Sequence, residues 1–254
     1  MSLEYQSKLN YLLMSGKKNG LYFSEWMKKK GYSDQLIKKY RQSGWLTSLD
    51  KGVMYRTGDS LSAYVALSCC NEQLGRSYRV AAHSALELYG FNHYVPMGKP
   101  LLMVAHSESQ TPKWMLSDRF DRSIKVFSTK MVADPQTAMV QIDGVDVRVS
   151  SPELAFMECL LLAPMQYDYM DLYYIMEQLT SLRVDVLQNL LENVKNNRVK
   201  RLFLYMAEKA GHYWFDMLNL EKIDFGTSKL QIVRNGVYVN KYKITIPKNL
   251  NDYE

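Results

Sequence analysis

The sequence of 254 residues is 47% hydrophobic and 23% charged, with a formal net charge of +6. This composition is typical of a globular protein and excludes a mainly disordered chain, because so apolar a sequence can bury a core. The longest unbroken aliphatic stretch, from Cys159 to Ala163, is far shorter than the roughly 20 residues that a membrane-spanning helix needs. With no visible secretory signal and only three cysteines, the sequence predicts a reduced protein of the cytoplasm.

Positive charge is concentrated towards the two ends of the chain. Residues 1–60 contain eleven basic and five acidic residues, a net charge of +6, and residues 195–248 contain eleven basic and four acidic residues, a net charge of +7. Residues 61–194, with ten basic and fifteen acidic residues, carry −5. A nucleic-acid-binding protein uses such local excesses of Lys and Arg to neutralise phosphates, although a solvated Lys-rich surface would have the same composition.

Three short helices are predicted at the start of the chain. An apolar repeat at helical spacing ends at Gly16, and a second helix follows, with Ser24 as its cap and Gly31 as its left-handed end. Ser33 then caps a third helix over residues 34–43. Only about two residues separate the second helix from the third, which is the spacing of a helix-turn-helix.

A hairpin follows the third helix. Two short runs, residues 45–49 and 53–56, flank Asp50-Lys51-Gly52, and a three-residue loop with a terminal glycine is a common hairpin connection. Three helices and a hairpin are the element order of a winged helix. The polar segment 57–60 is the best candidate for a boundary, so the sequence predicts a DNA-binding domain over residues 1–58.

The third predicted helix separates an apolar side from a polar side. Leu36, Ile37 and Tyr40 lie together and should face the core. Four long hydrogen-bond donors recur at i, i+3, i+4 and i+7 on the opposite face: Gln35, Lys38, Lys39 and Gln42. Side chains of these types reach base edges and phosphates in the major groove, and we therefore predict that this face contacts DNA. An ordinary solvated helix face is the alternative.

Other residues near this helix are predicted to join the interface. Ser33 at the start of the third helix, and Lys51 and Arg56 on the hairpin, are assigned to DNA contact. The cluster Lys28–Lys30 at the end of the second helix has two interpretations, since three cations there would either touch phosphate or complement the helix dipole.

Helical and strand patterns alternate beyond residue 60. Helices are predicted over residues 61–74, 81–89, 170–179, 183–194 and 198–210, and a further helix starts at Ser151-Pro152-Glu153. Strands are predicted over residues 101–105, 123–128, 139–142, 145–149, 230–233, 237–239 and 242–246. The predicted fold class is therefore α+β: an N-terminal winged helix-turn-helix followed by a larger mixed domain over residues 61–254, with a possible sub-boundary near residue 150.

Motifs for catalysis and metal binding are missing from the sequence. The histidines have no companions at ligand spacing: His83, His93, His106 and His212. The pair Cys69-Cys70 is more typical of a helix core than of a metal site. A phosphate-binding loop, a Gly-x-Ser-x-Gly elbow and the acid-x-Lys pattern of one nuclease class do not occur. We therefore expect a protein that is not an enzyme and has no metal or cofactor.

Three blocks of sequence, in order along nearly the whole chain, carry a family resemblance. The first is Gly44-Trp45-Leu46 with Lys51-Gly52-Val53-Met54-Tyr55, and the second is Ser150-Ser151-Pro152-Glu153-Leu154-Ala155. The third consists of the C-terminal segments 198–204, 207–209, 212–215, 223–229 and 241–247. Together they resemble the AbiEi-type antitoxins, the transcriptional regulators of type IV toxin–antitoxin and abortive-infection systems. The second block departs from the family pattern at Leu154, where an arginine is common.

The resemblance implies two functions for a bacterial, cytoplasmic protein. Its winged helix would bind inverted repeats of double-stranded operator DNA in the promoter of its own operon and repress transcription. Its C-terminal domain would antagonise a nucleotidyltransferase-like toxin encoded beside it, without a stable complex, in defence against phage. The candidate antitoxin surface comprises charged residues at family motif positions: Lys200, Arg201, Lys229 and Lys243.

Some alternatives remain open from the residues themselves. Cations at the start of the helix 198–210 oppose its dipole, which either an anionic partner or pairing with the acidic middle segment would explain. A winged-helix regulator whose C-terminal domain senses a ligand or partner is a second function, and the neighbouring gene would distinguish it. A nuclease or RNA-modifying enzyme is a third, which metal-dependent turnover of nucleic acid would support.

Overall fold

The computed structural model describes residues 3–91, 98–107 and 110–253, and the chain divides into two compact units. The first unit holds the described residues of 1–80, 96–128 and 139–149. The second holds those of 81–95, 129–138 and 150–254. Each unit is therefore built from segments that are distant in the sequence.

The first unit begins with a winged helix-turn-helix. Its elements are α1 (Leu3–Ser15), β1 (Tyr22–Phe23), α2 (Ser24–Lys29), α3 (Asp34–Gln42), β2 (Leu46–Asp50) and β3 (Val53–Arg56). Strand β3 lies between β1 and β2 and is antiparallel to both. Buried apolar side chains from all three helices and from the hairpin pack into one core. The predicted order of helices and hairpin is confirmed, whereas β1, which has only two residues, was not predicted.

The start of α2 differs from the prediction. The helix begins at Ser24 itself, so Phe23 holds the capping position and the prediction of Ser24 as the cap is wrong. The reason is the wing: the Ser24 amide donates to the Gly52 carbonyl at 2.8 Å, which fixes the helix start against the hairpin. The prediction for α3 is confirmed, because Ser33 Oγ accepts a hydrogen bond from the Leu36 amide at 3.2 Å.

Helix α4 and most of a five-stranded sheet complete the first unit. Their bounds are α4 (Ala63–Leu74), β4 (Arg79–Val80), β5 (Leu101–His106), β6 (Ser123–Ser128), β7 (Thr137–Ile142) and β8 (Val145–Ser150). The strand order is β6-β5-β4-β8-β7, with β5 and β6 parallel, β4 and β8 parallel, and β4 and β5 antiparallel. Strand β5 and the first two turns of α4 are buried, and Cys69 and Cys70 lie in this core as predicted.

The winged helix packs against residues that follow the predicted boundary at 57–60. The Phe23 ring meets the Trp114 ring edge-on, with centroids 5.8 Å apart. Arg119 Nη1 donates to Tyr55 Oη at 2.6 Å. Because of such contacts, the first compact unit extends well beyond residue 60. An independently folding domain over residues 1–58 stays a prediction.

The second unit is mainly helical. Its helices are α5 (Ala82–Leu88), α6 (Pro152–Leu162), α7 (Tyr169–Gln178), α8 (Val184–Asn193), α9 (Asn197–Lys209), α10 (Tyr213–Asp216) and α11 (Lys248–Asp252). A small sheet has the order β10-β11-β9, formed by β9 (Leu230–Gln231), β10 (Val237–Val239) and β11 (Ile244–Ile246). Helix α6 is buried for most of its length, with α5, α7, α8 and α9 packed around it.

Helices and strands in both units confirm the α+β fold class. Four short elements were not predicted: β1, β4, α10 and α11. They have two to five residues each, which is too few to show a periodicity. No helix in the described ranges is long and apolar enough to span a bilayer.

Candidate nucleic-acid interface

Helix α3 presents to solvent the polar face that the sequence predicts. Ile37 and Tyr40 are 4% and 0% exposed in the core of the winged helix, and Leu36 is half-buried against them. All four predicted donors are exposed: Gln35, Lys38, Lys39 and Gln42. At a rise of about 1.5 Å per residue, this face extends over about 10 Å of helix. That length matches roughly three base pairs of duplex.

A groove of 420 Å³ separates α3 from the wing. Its polar lining comprises Ser24, Asp34, Lys38, Arg41, Ser48 and Lys51. The fold thus brings Lys38 of the helix and Lys51 of the hairpin tip to the walls of one groove. Arg41, which the sequence analysis did not assign to the interface, also lines it. The signal available was its spacing, because Arg41 follows Lys38 by three residues on an exposed helix surface.

The lysines at the end of α2 have protein partners. Lys28 Nζ lies 2.8 Å from a carboxylate oxygen of Asp34, and Lys29 Nζ lies 2.8 Å from one of Glu25. Both pairs are solvent-exposed, so each contributes at most about 1 kcal/mol to stability. The Lys28 pair also neutralises the acid that lines the groove.

Of the other residues predicted to contact DNA, Ser33 and Lys51 lie close to the α3 groove and Arg56 does not. Ser33 Oγ caps α3 and retains its hydroxyl proton for a further bond. Lys51 is exposed at the hairpin tip. Arg56 is also exposed, but it pairs with Leu46 at the far end of the hairpin and is outside the described lining of the groove. The structure therefore brings Lys51 to α3 and leaves Arg56 about a strand's length away.

Two of the predicted antitoxin-surface residues are buried. Lys200 and Arg201 are 4% and 1% exposed, and the prediction that they lie on a surface is wrong. Lys200 Nζ donates to the Asp224 carbonyl at 2.7 Å, and burial lowers the pKa of this ammonium.

Arg201 holds three backbone carbonyls of the C-terminal loops. Its Nε donates to Phe225 O at 2.8 Å, and its Nη1 donates to Ser228 O at 2.7 Å and to Lys243 O at 2.9 Å. A planar guanidinium carries five donors in a rigid fork, so one side chain can satisfy several acceptors. The charge of Arg201 is therefore used inside the fold.

Arg198, at the start of the same helix, follows this pattern. Its two Nη atoms donate to Ala163 O at 2.5 Å and Leu161 O at 2.7 Å, at the end of α6. Carbonyls at a helix C-terminus lack intrahelical partners and attract cations. Backbone carbonyls therefore account for Arg198, Lys200 and Arg201 at the start of α9 without an anionic partner or acidic side chains.

The other two residues of the predicted antitoxin surface are accessible to different degrees. Lys229 is exposed, with Nζ 5.4 Å from the centre of the Tyr238 ring. Lys243 is half-buried, and its backbone has a positive φ of 50°.

The block at residues 150–155 also has a structural explanation. Ser151 Oγ accepts from the Leu154 amide at 3.4 Å and caps α6. Glu153 is 1% exposed and accepts from Arg183 Nη2 at 3.0 Å. Burial alone would raise the pKa of Glu153, but hydrogen bonds from Arg183, from its own amide and from Ser151 together outweigh that effect and lower the pKa overall.

The histidines show the contacts of structural residues. His83 Nδ1 lies 2.7 Å from Tyr167 Oη, and burial lowers the pKa of His83 to about 4. His212 Nε2 donates to the Met176 carbonyl at 2.7 Å. His93 lies outside the described residues. Within the described part of the chain, no three His, Cys, Asp or Glu side chains form a group that could hold a metal ion.

Comparisons with known proteins cover both parts of the chain. A family model described as "Transcriptional regulator, AbiEi antitoxin, Type IV TA system" matches residues 99–247, and one described as "Transcriptional regulator, AbiEi antitoxin N-terminal domain" matches residues 5–97. The chain is also similar to the crystal structure of the RV2827C protein from Mycobacterium tuberculosis, with 15% identity and a TM-score of 0.60 over 96% of this chain and 92% of that one. At this identity the likeness is one of fold. No curated protein matches.

Proposed function

We propose that this chain, which belongs to the AbiEi antitoxin family of transcriptional regulators in type IV toxin–antitoxin systems, represses its own operon and counters a nucleotidyltransferase-like toxin encoded beside it. The observation that carries the first half is the exposed polar face of α3, from which Lys38 lines the groove beside the wing. On this proposal the chain acts by binding, in the cytoplasm, and performs no catalysis itself.

The chemistry of that face supports a role in operator recognition. In the major groove, the amides of Gln35 and Gln42 can pair with the N6 and N7 positions of adenine, and Lys38 can donate to guanine O6 or N7. Lys51 would meet a phosphate of the adjoining backbone, where a cation adds affinity at any sequence. Inverted repeats would then be read by two copies of the chain, since a half-site takes one recognition helix.

Substitutions can separate base reading from phosphate binding. Gln42→Ala should weaken binding to the cognate operator by about 1–3 kcal/mol and change binding to random DNA little. Lys51→Ala should weaken both alike and reduce the slope of log K against log salt by about one unit. The matched control is Gln178→Ala, an exposed glutamine at the end of α7, which should leave both unchanged.

The assignment of α3 has a direct test. If Gln35, Lys38, Lys39 and Gln42 are all replaced by alanine and operator affinity measured by fluorescence anisotropy is unchanged, α3 is not the recognition helix. A circular dichroism spectrum equal to that of the wild type is needed for the comparison, and the four positions are exposed, so we expect the variant to fold.

Protection against the toxin is assigned to the part of the chain after residue 60. Its support is the family model that matches residues 99–247, a span that includes segments of both units. Lys229 is the accessible candidate, whereas Lys243 is partly withdrawn from solvent. Because the units interleave along the chain, a cut after residue 60 would separate α4 from β1 and α2, against which it packs. Point variants therefore test the division of labour better than fragments.

The assay is growth during co-expression with the cognate toxin, alongside a promoter reporter. We expect Lys229→Glu to lower protection while repression stays at the wild-type level. Lys222→Glu, at another exposed lysine of the same unit, is the control and should retain both activities. Full protection by Lys229→Glu would remove this residue from the proposed surface.

A further inference from the structure

A second groove lies on the opposite face of the wing from the α3 groove. It has a volume of 660 Å³ and is lined by the start of α2, the hairpin tip, the end of α4 and residues 110–114. Val53 lines this groove and Met54 lines the other. Successive side chains of a strand point to opposite faces, so the two grooves flank the wing. Lys51 at the tip lines both.

The rim of the second groove is basic. Lys51, Arg76 and Lys113 line it and are exposed, and the acid among its lining residues is Glu25. The Glu25 carboxylate is already paired with Lys29 at 2.8 Å. The groove therefore offers more positive than negative charge to an occupant.

The backbone is held in place at both Arg76 and Lys113. Arg76 directly follows Gly75, whose φ of 64° ends α4 in the left-handed conformation. Lys113 begins a helical turn whose next residue, Trp114, is 4% exposed and packs its ring against Phe23. Both side chains therefore extend from well-defined backbone positions beside the winged helix.

We propose that Arg76 and Lys113 extend the DNA interface beyond the winged helix, by binding phosphates of the duplex that flanks the sequence read by α3. The inference rests on the proposed role of α3 and the wing. A backbone that reaches Lys51 from the α3 groove continues into the second groove, and each strand of B-DNA offers a phosphate about every 3.4 Å. Cations placed beyond the wing are therefore within reach of the same backbone.

The sequence concealed this pair of residues. Arg76 and Lys113 belong to the acidic segment 61–194, whose net charge is −5. The net charge of that segment, taken as a whole, argues against contact with DNA. Only the folded arrangement places these two positive side chains at a groove that includes the wing.

The test compares two operator duplexes. One covers only the sequence that α3 and the wing would contact, and the other adds flanking base pairs on both sides. On the long duplex, Arg76→Ala and Lys113→Ala should each lower affinity and reduce the salt slope by about 0.9, and the double variant by about twice that. For each lost contact, the ratio of wild-type affinity to variant affinity should fall about threefold as the salt concentration rises from 50 to 200 mM. On the short duplex, the variants should match the wild type.

Controls separate this inference from the function on which it rests. Lys125→Ala, at an exposed lysine of β6 outside both groove linings, should bind both duplexes like the wild type. If Gln42→Ala loses operator affinity while Arg76→Ala and Lys113→Ala keep the wild-type slope on the long duplex, the extended interface is wrong and the recognition helix stands. Equal losses on both duplexes would also overturn it, because the contacts would not be to flanking DNA. Absence of operator binding by the wild type would instead overturn the proposed function.

Discussion

Replacing Arg201 with alanine should strongly destabilise the second unit. The side chain is 1% exposed and donates to the carbonyls of Phe225, Ser228 and Lys243 at 2.7–2.9 Å. Each hydrogen bond to a charged group contributes about 1.5–3 kcal/mol, and such contributions are not additive. Water and local relaxation will satisfy some of the carbonyls, so we expect a loss of about 3–5 kcal/mol, less than the sum over three separate bonds. That is a large fraction of a typical domain's stability.

Urea unfolding followed by tryptophan fluorescence can measure this loss, since Trp214 is 0% exposed in the same unit. Arg201→Lys keeps the charge but loses the planar fork, so its stability should lie between wild type and Arg201→Ala. The matched control is Arg234→Ala, at an exposed arginine of the second unit, which should change the free energy of unfolding by less than about 0.5 kcal/mol.

A structural role for Arg201 would be refuted if Arg201→Ala lowered the free energy of unfolding by less than about 1 kcal/mol, which is no more than loss of a single neutral hydrogen bond would cost. If the Arg201→Ala protein is fully stable yet no longer protects against the toxin, Arg201 contributes directly to the antitoxin function.

Three further changes test the local interpretation. Ser33→Ala should lower the free energy of unfolding by about 1 kcal/mol through loss of the α3 cap, while Ser24→Ala should have an effect below about 0.5 kcal/mol; equal effects in urea unfolding would contradict the helix ends described above. Gly52→Ala should destabilise the wing by about 1–2 kcal/mol, because φ is +75° and the new Cβ would lie 2.7 Å from Ser24 Oγ; an unchanged Tm would contradict it. Hydrogen bonds, first among them those from Arg183, together outweigh burial and hold the pKa of Glu153 below its ordinary value of 4.5. This carboxylate therefore stabilises the fold above that pH and loses its effect as the pH falls through the folded-state pKa. Glu153→Gln should remove that part of the acid sensitivity, measured as Tm between about pH 3 and 7, and a profile parallel to that of the wild type would argue against the pair.

The sequence by itself determined the features that depend on neighbouring residues. The cap of α3 by Ser33, the start of α6 at Ser151-Pro152-Glu153 and the hairpin around Gly52 are set by contacts within a few residues. The amphipathic pattern of α3 is equally local, because helix periodicity alone puts Gln35 and Gln42 on one face. For this reason the winged helix and its candidate recognition face could be predicted.

The tertiary structure decided where the charges of the remaining chain act. Lys200 and Arg201 form part of a basic helix start, but each donates to backbone carbonyls that lie 24–42 residues further along the chain. Arg76 and Lys113 reach the groove beside Lys51 from segments that sequence averaging counts as acidic. Burial and proximity of this kind depend on how distant segments pack, which neither composition nor periodicity encodes. A lysine or arginine in this sequence therefore became a core hydrogen-bond donor or a candidate phosphate contact only when the chain folded.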